Sequence, residues 1–492
     1  MFPELAQISR EIRSGSLTAE SLVTRSLEAI KTKNQSVNAF SDVYVEESLA
    51  AARACDREAA EGKWRGPLHG VPIGVKDLFL TEGRRTARGS AAFRDYVPDR
   101  SAPIVERIEA AGAIIIGKTT TTELGWSGSS VSELYGPTRN PWNRDLTSGG
   151  SSSGSAAAIA AGMVPCALGS DGGGSVRIPA SFCGIFAMKG SLARIPTYPW
   201  SATEMLSHAG PMTRTAADSA YLFDLLKGPD PRDHNALPDD GLDYVADAVD
   251  PAGLKIAYAP TLFGVEVDPE VERVVTDAVA KIGNALGRGA VEVAPDWQDP
   301  IRIFETLWVA GRGQAYGRLA DHDGFGSGFR TLIEASRAYD LADYLDAMKA
   351  RADFAATVHG FFEDYDLLLL PTVPILPFDA ELEAPPDCVG PSAVLRWTAW
   401  TPFTYPFNLS GNPAASMPVG TSSSGLPIGL QVVGRRHADL SVLSFCRALE
   451  ATFPCQLAGD VAEGGPSEGR GKTPQNANEN VNQNANTVEA ER

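Results

Sequence analysis

Three glycines, Gly172, Gly173 and Gly174, run straight into Ser175 within Gly169-Ser170-Asp171-Gly172-Gly173-Gly174-Ser175-Val176-Arg177-Ile178-Pro179-Ala180. Such a run loses backbone entropy on folding that a plain turn would not lose, so it implies a geometric demand. Hydrolysis of an amide supplies one. Negative charge develops on the carbonyl oxygen, and backbone N–H groups aimed at it lower the barrier, each by about 3 to 4 kcal/mol. Without a Cβ, Gly172, Gly173 and Gly174 can bring their amides close, and Ser175 stands where a nucleophile would attack. A flexible linker is the competing reading, but linkers are not normally followed by Val-Arg-Ile-Pro and the apolar Phe182-Cys183-Gly184-Ile185-Phe186-Ala187.

A serine hydroxyl needs a base, and no histidine lies close to Ser175 in sequence. Lys76 closes the apolar run Val71-Pro72-Ile73-Gly74-Val75, a setting that would desolvate its ammonium and lower its pKa. Lone lysines are more often solvated surface charges. A second Gly/Ser loop, Gly149-Gly150-Ser151-Ser152-Ser153-Gly154-Ser155, opens an Ala-rich helical stretch whose free N–H groups its serines could cap. Residue chemistry alone does not choose among Ser151, Ser152 and Ser153.

Two short motifs point elsewhere and fail on context. Gly112-Ala113-Ile114-Ile115-Ile116-Gly117-Lys118-Thr119 fits GxxxxGK[ST], but a phosphate-binding loop needs its variable positions between strand and helix. Residues 113–116 read as the strand itself, leaving Gly117 and Lys118 to turn the chain. Gly150-Ser151-Ser152-Ser153-Gly154 fits GxSxG, yet Arg139-Asn140-Pro141-Trp142-Asn143-Arg144-Asp145 cannot be the central strand that a nucleophile elbow requires. None of His208, His234, His322, His359 or His437 carries a supporting pattern for a triad base.

The elements that position these residues follow from periodicity. Residues 4–62 carry a helical repeat, with Thr18 as N-cap before Leu22, Val23, Leu27 and Ile30 and a second helix around 49–60. From Gly70 to about Val433, short apolar runs at 71–75, 113–116 and 367–370 alternate with helical stretches and Gly/Ser/Pro loops. That alternation predicts an α/β fold, a large central mixed β-sheet covered by helices on both faces. An acidic, Pro-rich connection at 229–250 precedes the strand-like Leu254-Lys255-Ile256-Ala257, and 268–356 reads as a helical insertion. The expected organisation is one domain over 1–457, with a helical part at 1–66 and an α/β core at 67–457, and a low-complexity disordered tail at 458–492.

The 492 residues, 43% hydrophobic, suffice for a large core that encloses a pocket. A net charge of −18 works against a nucleic-acid partner, because a phosphate backbone demands a basic face. Apolar runs fall short of a membrane span, and Met1-Phe2-Pro3-Glu4 lacks signal-peptide order, so a cytoplasmic protein with no membrane contact is expected. The six cysteines are scattered, with no C-x-x-C pair and no histidine at ligand spacing; neither metal nor cofactor is expected.

The Gly149 to Ala180 segment, with its GGSS opening, Asp-x-Gly-Gly-Ser core and Ser-x-Arg-x-Pro ending, resembles the amidase signature family. Gly70-Val71-Pro72 through Lys76-Asp77, Ala111 to Glu123, Tyr135-Gly136-Pro137-Thr138-Arg139-Asn140-Pro141-Trp142 and Gly425-Leu426-Pro427-Ile428-Gly429-Leu430-Gln431 resemble it too. The resemblance implies the amidase signature fold and an acyl-enzyme mechanism. It implies Ser175 as nucleophile, Ser151 as a bridging serine entered through a cis peptide, and Lys76 as base. It selects Ser151 over its neighbours and implies an oxyanion hole at Gly172, Gly173, Gly174 and Ser175. Asp171, Arg177 and Ser152 would support the loop, and Gly125, Trp126 and Ser127 are candidate substrate contacts.

Lys189-Gly190-Ser191 departs from the family's usual Lys-Pro-Thr or Lys-Pro-Ser, and Gly172 replaces a larger residue, which by itself widens the loop's freedom. Residues 193–211 depart from the pattern of the glutaminase component of tRNA amidotransferases, which works with partner subunits. The expectation is therefore a stand-alone monomer or homodimer acting on a small-molecule amide or carbamate, with esters also open to the same chemistry. Trp126, Trp200, Trp308, Trp397 and Trp400 hint at an aromatic-tolerant pocket, although tryptophan is more often ordinary core.

Overall fold

Strands buried on both faces are apolar at nearly every position, and several runs in this chain are. Leu367–Pro371 and Pro427–Gly434 are buried throughout, as is Pro72–Lys76. In the computed structural model, which describes residues 2–201, 203–319 and 324–458, these runs belong to a single eleven-stranded sheet.

In chain order the strands are β1 (Phe40–Val43), β2 (Pro72–Lys76), β3 (Ile114–Thr119), β4 (Cys166–Asp171), β5 (Phe186–Lys189), β6 (His208–Thr213), β7 (Ile256–Tyr258), β8 (Val291–Glu292), β9 (Leu367–Pro371), β10 (Ala414–Thr421) and β11 (Pro427–Gly434). Their order across the sheet is β1-β3-β2-β4-β6-β5-β10-β11-β9-β7-β8. β2 runs parallel to β3 and β4, and β7 parallel to β8 and β9, whereas the pairs through β6, β5, β10 and β11 are antiparallel, so the sheet is mixed.

Side chains alternate between two layers along each strand. Leu367 and Leu369 of β9 join one buried cluster with Leu430 and Val432 of β11, while Leu368 and Leu370 join another with Val433. β4 divides likewise, Cys166 and Leu168 to one side and Ala167 to the other. Helices cover both faces of this α/β sheet, as the alternation of apolar runs and helical patterns predicts. Among them Ala19–Val37 is capped by Thr18, whose Oγ1 accepts the Ser21 N–H at 3.1 Å.

The stretch from 268 to 356 holds the helices Pro269–Leu286, Ile301–Tyr316 and Ser327–Ser336 and most of Leu341–Asp364, with β8 between the first two. The tail expected at 458–492 lies, apart from Ala458, outside the described residues.

What positions the site is the parallel pair β2 and β4. Their carboxyl ends lie side by side, and Lys76 and Asp171 are the last residues of the two strands. Loops that leave carboxyl ends of parallel strands are where α/β proteins place ligands.

Candidate active site

Lys76 is fully buried, and its Nζ lies 2.8 Å from Ser151 Oγ, 2.9 Å from Ser152 Oγ and 2.9 Å from Ser170 Oγ. No carboxylate pairs with it among the described residues. Burial is the largest influence on the amine and pushes its pKa well below 10.5; the nearby Arg312 cation pushes the same way, against the opposing pull of Asp171. A neutral amine in a ring of hydroxyls donates two protons and accepts one.

The ring distinguishes the serines. Ser152 Oγ donates to the Ser170 carbonyl at 3.1 Å, so its one proton is committed and it can only accept from Lys76. Ser153 is buried with its Oγ 3.5 Å from the Thr120 carbonyl. Ser151, whose peptide bond with Gly150 is cis, has no hydrogen bond other than that to Lys76 among the described residues, and it lines a cavity. Ser175, 6% exposed, lines the same cavity of about 190 Å³. Ser170 is a third hydroxyl on the lysine that sequence reasoning passed over; its place at the end of β4 beside Asp171 was the available signal.

The glycine loop is held from below. Asp171 and Arg177 are both buried and bidentate, with Nε to Oδ2 and Nη2 to Oδ1 at 2.9 Å. Burial alone would raise the Asp171 pKa, but the guanidinium overrides it and holds the carboxyl well below the usual carboxylate range. Arg177 also reaches Thr404 O, Gln431 Oε1 and Asn408 Oδ1. Asp171 Oδ1 accepts the Gly174 N–H at 2.8 Å, which removes that amide from the expected set of oxyanion donors. The amides of Gly172, Gly173 and Ser175 have no partner among the described residues.

The glycines answer to tight packing. A Cβ on Gly172 would come within 2.8 Å of the Trp308 ring, and one on Gly173 within 2.8 Å of Phe304. Gly174 has φ +128°, closed to other residues, and sits against Thr404. Instead of loosening the loop, Gly172 lets Trp308 close over it.

Of the three candidate substrate contacts, Gly125 lines the cavity. Trp126 and Ser127 do not: Trp126 offers its carbonyl to Trp308 Nε1 at 3.1 Å, and Ser127 bonds Ser129. Trp200 and Trp308 line the cavity, whereas Trp397 and Trp400 are core. Phe79, Tyr198 and Tyr316 add aromatic wall, and Arg88 and Arg312 add charge that sequence reasoning missed.

The rejected motifs meet a clear fate. Gly117 and Lys118 continue β3 and pair with Val43 and Asp42 of β1, so they do not turn the chain as expected. Lys118 Nζ is tied to Phe79 O, Thr81 and Thr86. No histidine among the described residues hydrogen-bonds a serine hydroxyl of the cavity; His208 lines it, but burial holds its ring neutral and its Nδ1 lies 2.8 Å from Leu206 O. His322 lies outside the described residues.

Cys55, Glu58 and His69 bring ligand-type atoms within 4.8 Å of one another, a grouping that sequence spacing does not show. Two of the three are already occupied. Glu58 binds Arg65 through both oxygens, and the His69 nitrogens meet Cys55 O and the Arg65 amide.

A mixed α/β sheet that brings a buried lysine and serines to the carboxyl ends of two parallel strands has close relatives among enzymes that cleave amides. The sequence profile described as Amidase matches residues 21–443. The chain is 35% identical over 460 residues to an acylamidase of Rhodococcus erythropolis, covering 91% of this chain and 95% of that one. It is 34% identical over 486 residues to a glutamyl-tRNA(Gln) amidotransferase component of a Synechococcus strain, with 92% and 95% covered. Its structure superposes on a bacterial aryl acylamidase of the amidase signature enzymes with TM-score 0.85 at 26% identity, over 94% and 99% of the two chains. A 6-aminohexanoate cyclic dimer hydrolase gives TM-score 0.84, also at 26% identity, over 92% and 97%. The protein is an amide-hydrolysing enzyme. It belongs to the amidase signature family. No helix among the described residues is long and apolar enough to cross a membrane.

Proposed function

We propose that the chain is a stand-alone amidohydrolase that cleaves small amides with a hydrophobic or aryl portion through an acyl-enzyme on Ser175. The observation that carries this reading is the fully buried Lys76 amine among hydroxyls, 2.8 Å from Ser151 Oγ. Neutral Lys76 takes the Ser151 proton as Ser151 takes that of Ser175, and Ser175 Oγ bonds to the carbonyl carbon. The amides of Gly172, Gly173 and Ser175 are the free donors for the oxygen that gains charge. Lys76 then returns its proton to Ser151, which protonates the departing nitrogen; the C–N bond breaks and the amine leaves. Water, deprotonated by the same relay, releases the acid from Ser175 and regenerates the enzyme.

The aromatic lining from Phe79, Tyr198, Trp200, Trp308 and Tyr316 supports an apolar or aryl substrate portion. So does the likeness to acylamidases. Carbamates and esters present the same carbonyl to the same groups. The similarity to amidotransferase components supports a second reading, a glutaminase that works with partner subunits.

Assaying purified protein with an aryl anilide, an aliphatic amide, a carbamate, an ester and glutamine separates these readings. Turnover of the anilide by the protein alone, lost in S175A, is expected. Glutamine turnover that appears only with added amidotransferase partners would overturn the stand-alone reading.

A further inference from the structure

We propose that the substrate carries a carboxylate, or an equivalent small oxyanion, held in the cavity by Arg312, with Arg88 a second guanidinium on the cavity wall. The inference rests on the cavity being the hydrolytic site and narrows the class of amide that it takes.

The charges around the cavity do not balance. Asp171 is the only carboxylate lining it among the described residues, and Arg177 occupies both of its oxygens. Arg312 and Arg88 also line the cavity, and neither has a carboxylate partner among the described residues. Arg312, on the helix Ile301–Tyr316, is 6% exposed and lies over the Trp308 ring at 3.6 Å. Its Nη1 is 3.5 Å from Thr203 Oγ1, its Nη2 is 3.3 Å from Gly125 O, and its Nε has no partner. Five donors thus meet two neutral acceptors at the long end of hydrogen bonding. Buried guanidiniums are otherwise almost always paired.

Arg88 repeats the pattern at the neighbouring backbone. Its carbonyl accepts the Leu124 N–H at 2.7 Å, next to Gly125, and its buried Nε has no partner. Its guanidinium lies 5.0 Å from the Phe93 ring and 5.2 Å from that of Tyr96. Contact with aromatic rings leaves Nε of both arginines without an acceptor, and a guanidinium edge with spare donors matches a carboxylate. Gly125 fixes how near the anion lies to the chemistry: a Cβ built there would be 3.3 Å from Ser151 Oγ. Arg312 Nη2, 3.3 Å from the carbonyl of that same Gly125, therefore meets the cavity beside the reacting serines.

Two matched substrate pairs test this: succinyl para-nitroanilide against butyryl para-nitroanilide, and para-acetamidobenzoate against acetanilide. The acid is expected to have the higher kcat/KM in at least one pair, by about ten- to a hundredfold. R312M should bring that ratio to about one and R312K should retain part of it. Calorimetric binding of the same four compounds to S175A protein reads the subsite without turnover and does not depend on R312M folding. Acid-selective binding with no wild-type turnover supports the subsite and sinks the catalytic reading. Turnover with no preference for the acid in either pair, or no acid-selective binding to S175A, overturns the subsite.

Discussion

Ser151 and Ser152 both touch the Lys76 amine, and what separates them is where their protons are. Ser152 donates its O–H in a hydrogen bond to the Ser170 carbonyl, so it can orient the amine but is not placed to feed it, whereas Ser151 has no other partner among the described residues. S151A should therefore lower kcat/KM by about 10²- to 10⁴-fold. S152A, which removes one orienting hydrogen bond, should cost about tenfold. Steady-state rates on one anilide distinguish them, and equal losses would place the relay elsewhere. On the proposed mechanism the same amine sets the pH profile. Only its neutral form accepts a proton, so kcat/KM rises with pH through the Lys76 pKa, which burial and then Arg312 hold far below 10.5. Removing the Arg312 cation withdraws part of that depression. In R312M the acidic limb should move to higher pH; an unmoved limb would show that the two charges do not interact. Composition and spacing could make Lys76 and Ser175 candidates, since one closes an apolar strand and the other ends a glycine run. They could not separate adjacent serines, because that depends on which carbonyl lies opposite each hydroxyl.

At the scale of elements, the glycine loop is shaped by the helix Ile301–Tyr316, more than a hundred positions later in the chain. Trp308 and Phe304 from that helix lie where side chains on Gly172 and Gly173 would go, and Thr404 lies against Gly174. This is why the sequence shows the loop but not its cause. The apolar runs of β2 and β9 are legible because strands buried on both faces are apolar nearly throughout. The order of the strands and the partners of Arg177 are long-range facts with no local trace. Arg312 sits in Ile-Arg-Ile-Phe-Glu-Thr-Leu-Trp-Val-Ala-Gly-Arg-Gly-Gln-Ala-Tyr, where nothing marks it from a solvated helical arginine. Two substitutions follow from the packing. G174A forces an alanine into φ +128° and against Thr404, and should lose both activity and thermal stability. G287A, at a left-handed helix end with open space around it, should cost only about 1 to 2 kcal/mol and leave activity intact. R177M strands the buried Asp171 carboxylate and should destabilise the fold by about 3 to 5 kcal/mol, read by denaturation. A smaller loss would mean that Asn408 and the Gly174 amide satisfy Asp171 without it.

For the whole molecule, keeping a lysine neutral in the interior links folding to pH. Lys76 and Lys189 are both fully buried, and burial drives both amines well below 10.5. Between the folded pKa and 10.5 the unfolded chain holds a proton on each lysine that the folded chain has given up. Stability rises with pH where the unfolded state binds more protons, so each lysine contributes a positive slope of about 1.4 kcal/mol per pH unit within that window. Below the folded pKa both states are protonated and the slope vanishes. Near pH 10.5 the unfolded lysine also loses its proton, and the burden of burying an amine that must be neutral is gone. K76M removes one of the two contributions while leaving the sheet and Lys189 in place. The thermal midpoint of the wild type measured against K76M should therefore climb as pH goes from neutral towards about 9. The absolute offset between the two proteins also carries the hydroxyls of Ser151, Ser152 and Ser170 left without their amine, but those hydroxyls do not titrate in this range, so the slope belongs to the lysine. Parallel midpoints across that range would mean that Lys76 stays protonated in the folded protein, and an amine that holds its proton cannot accept one from Ser151.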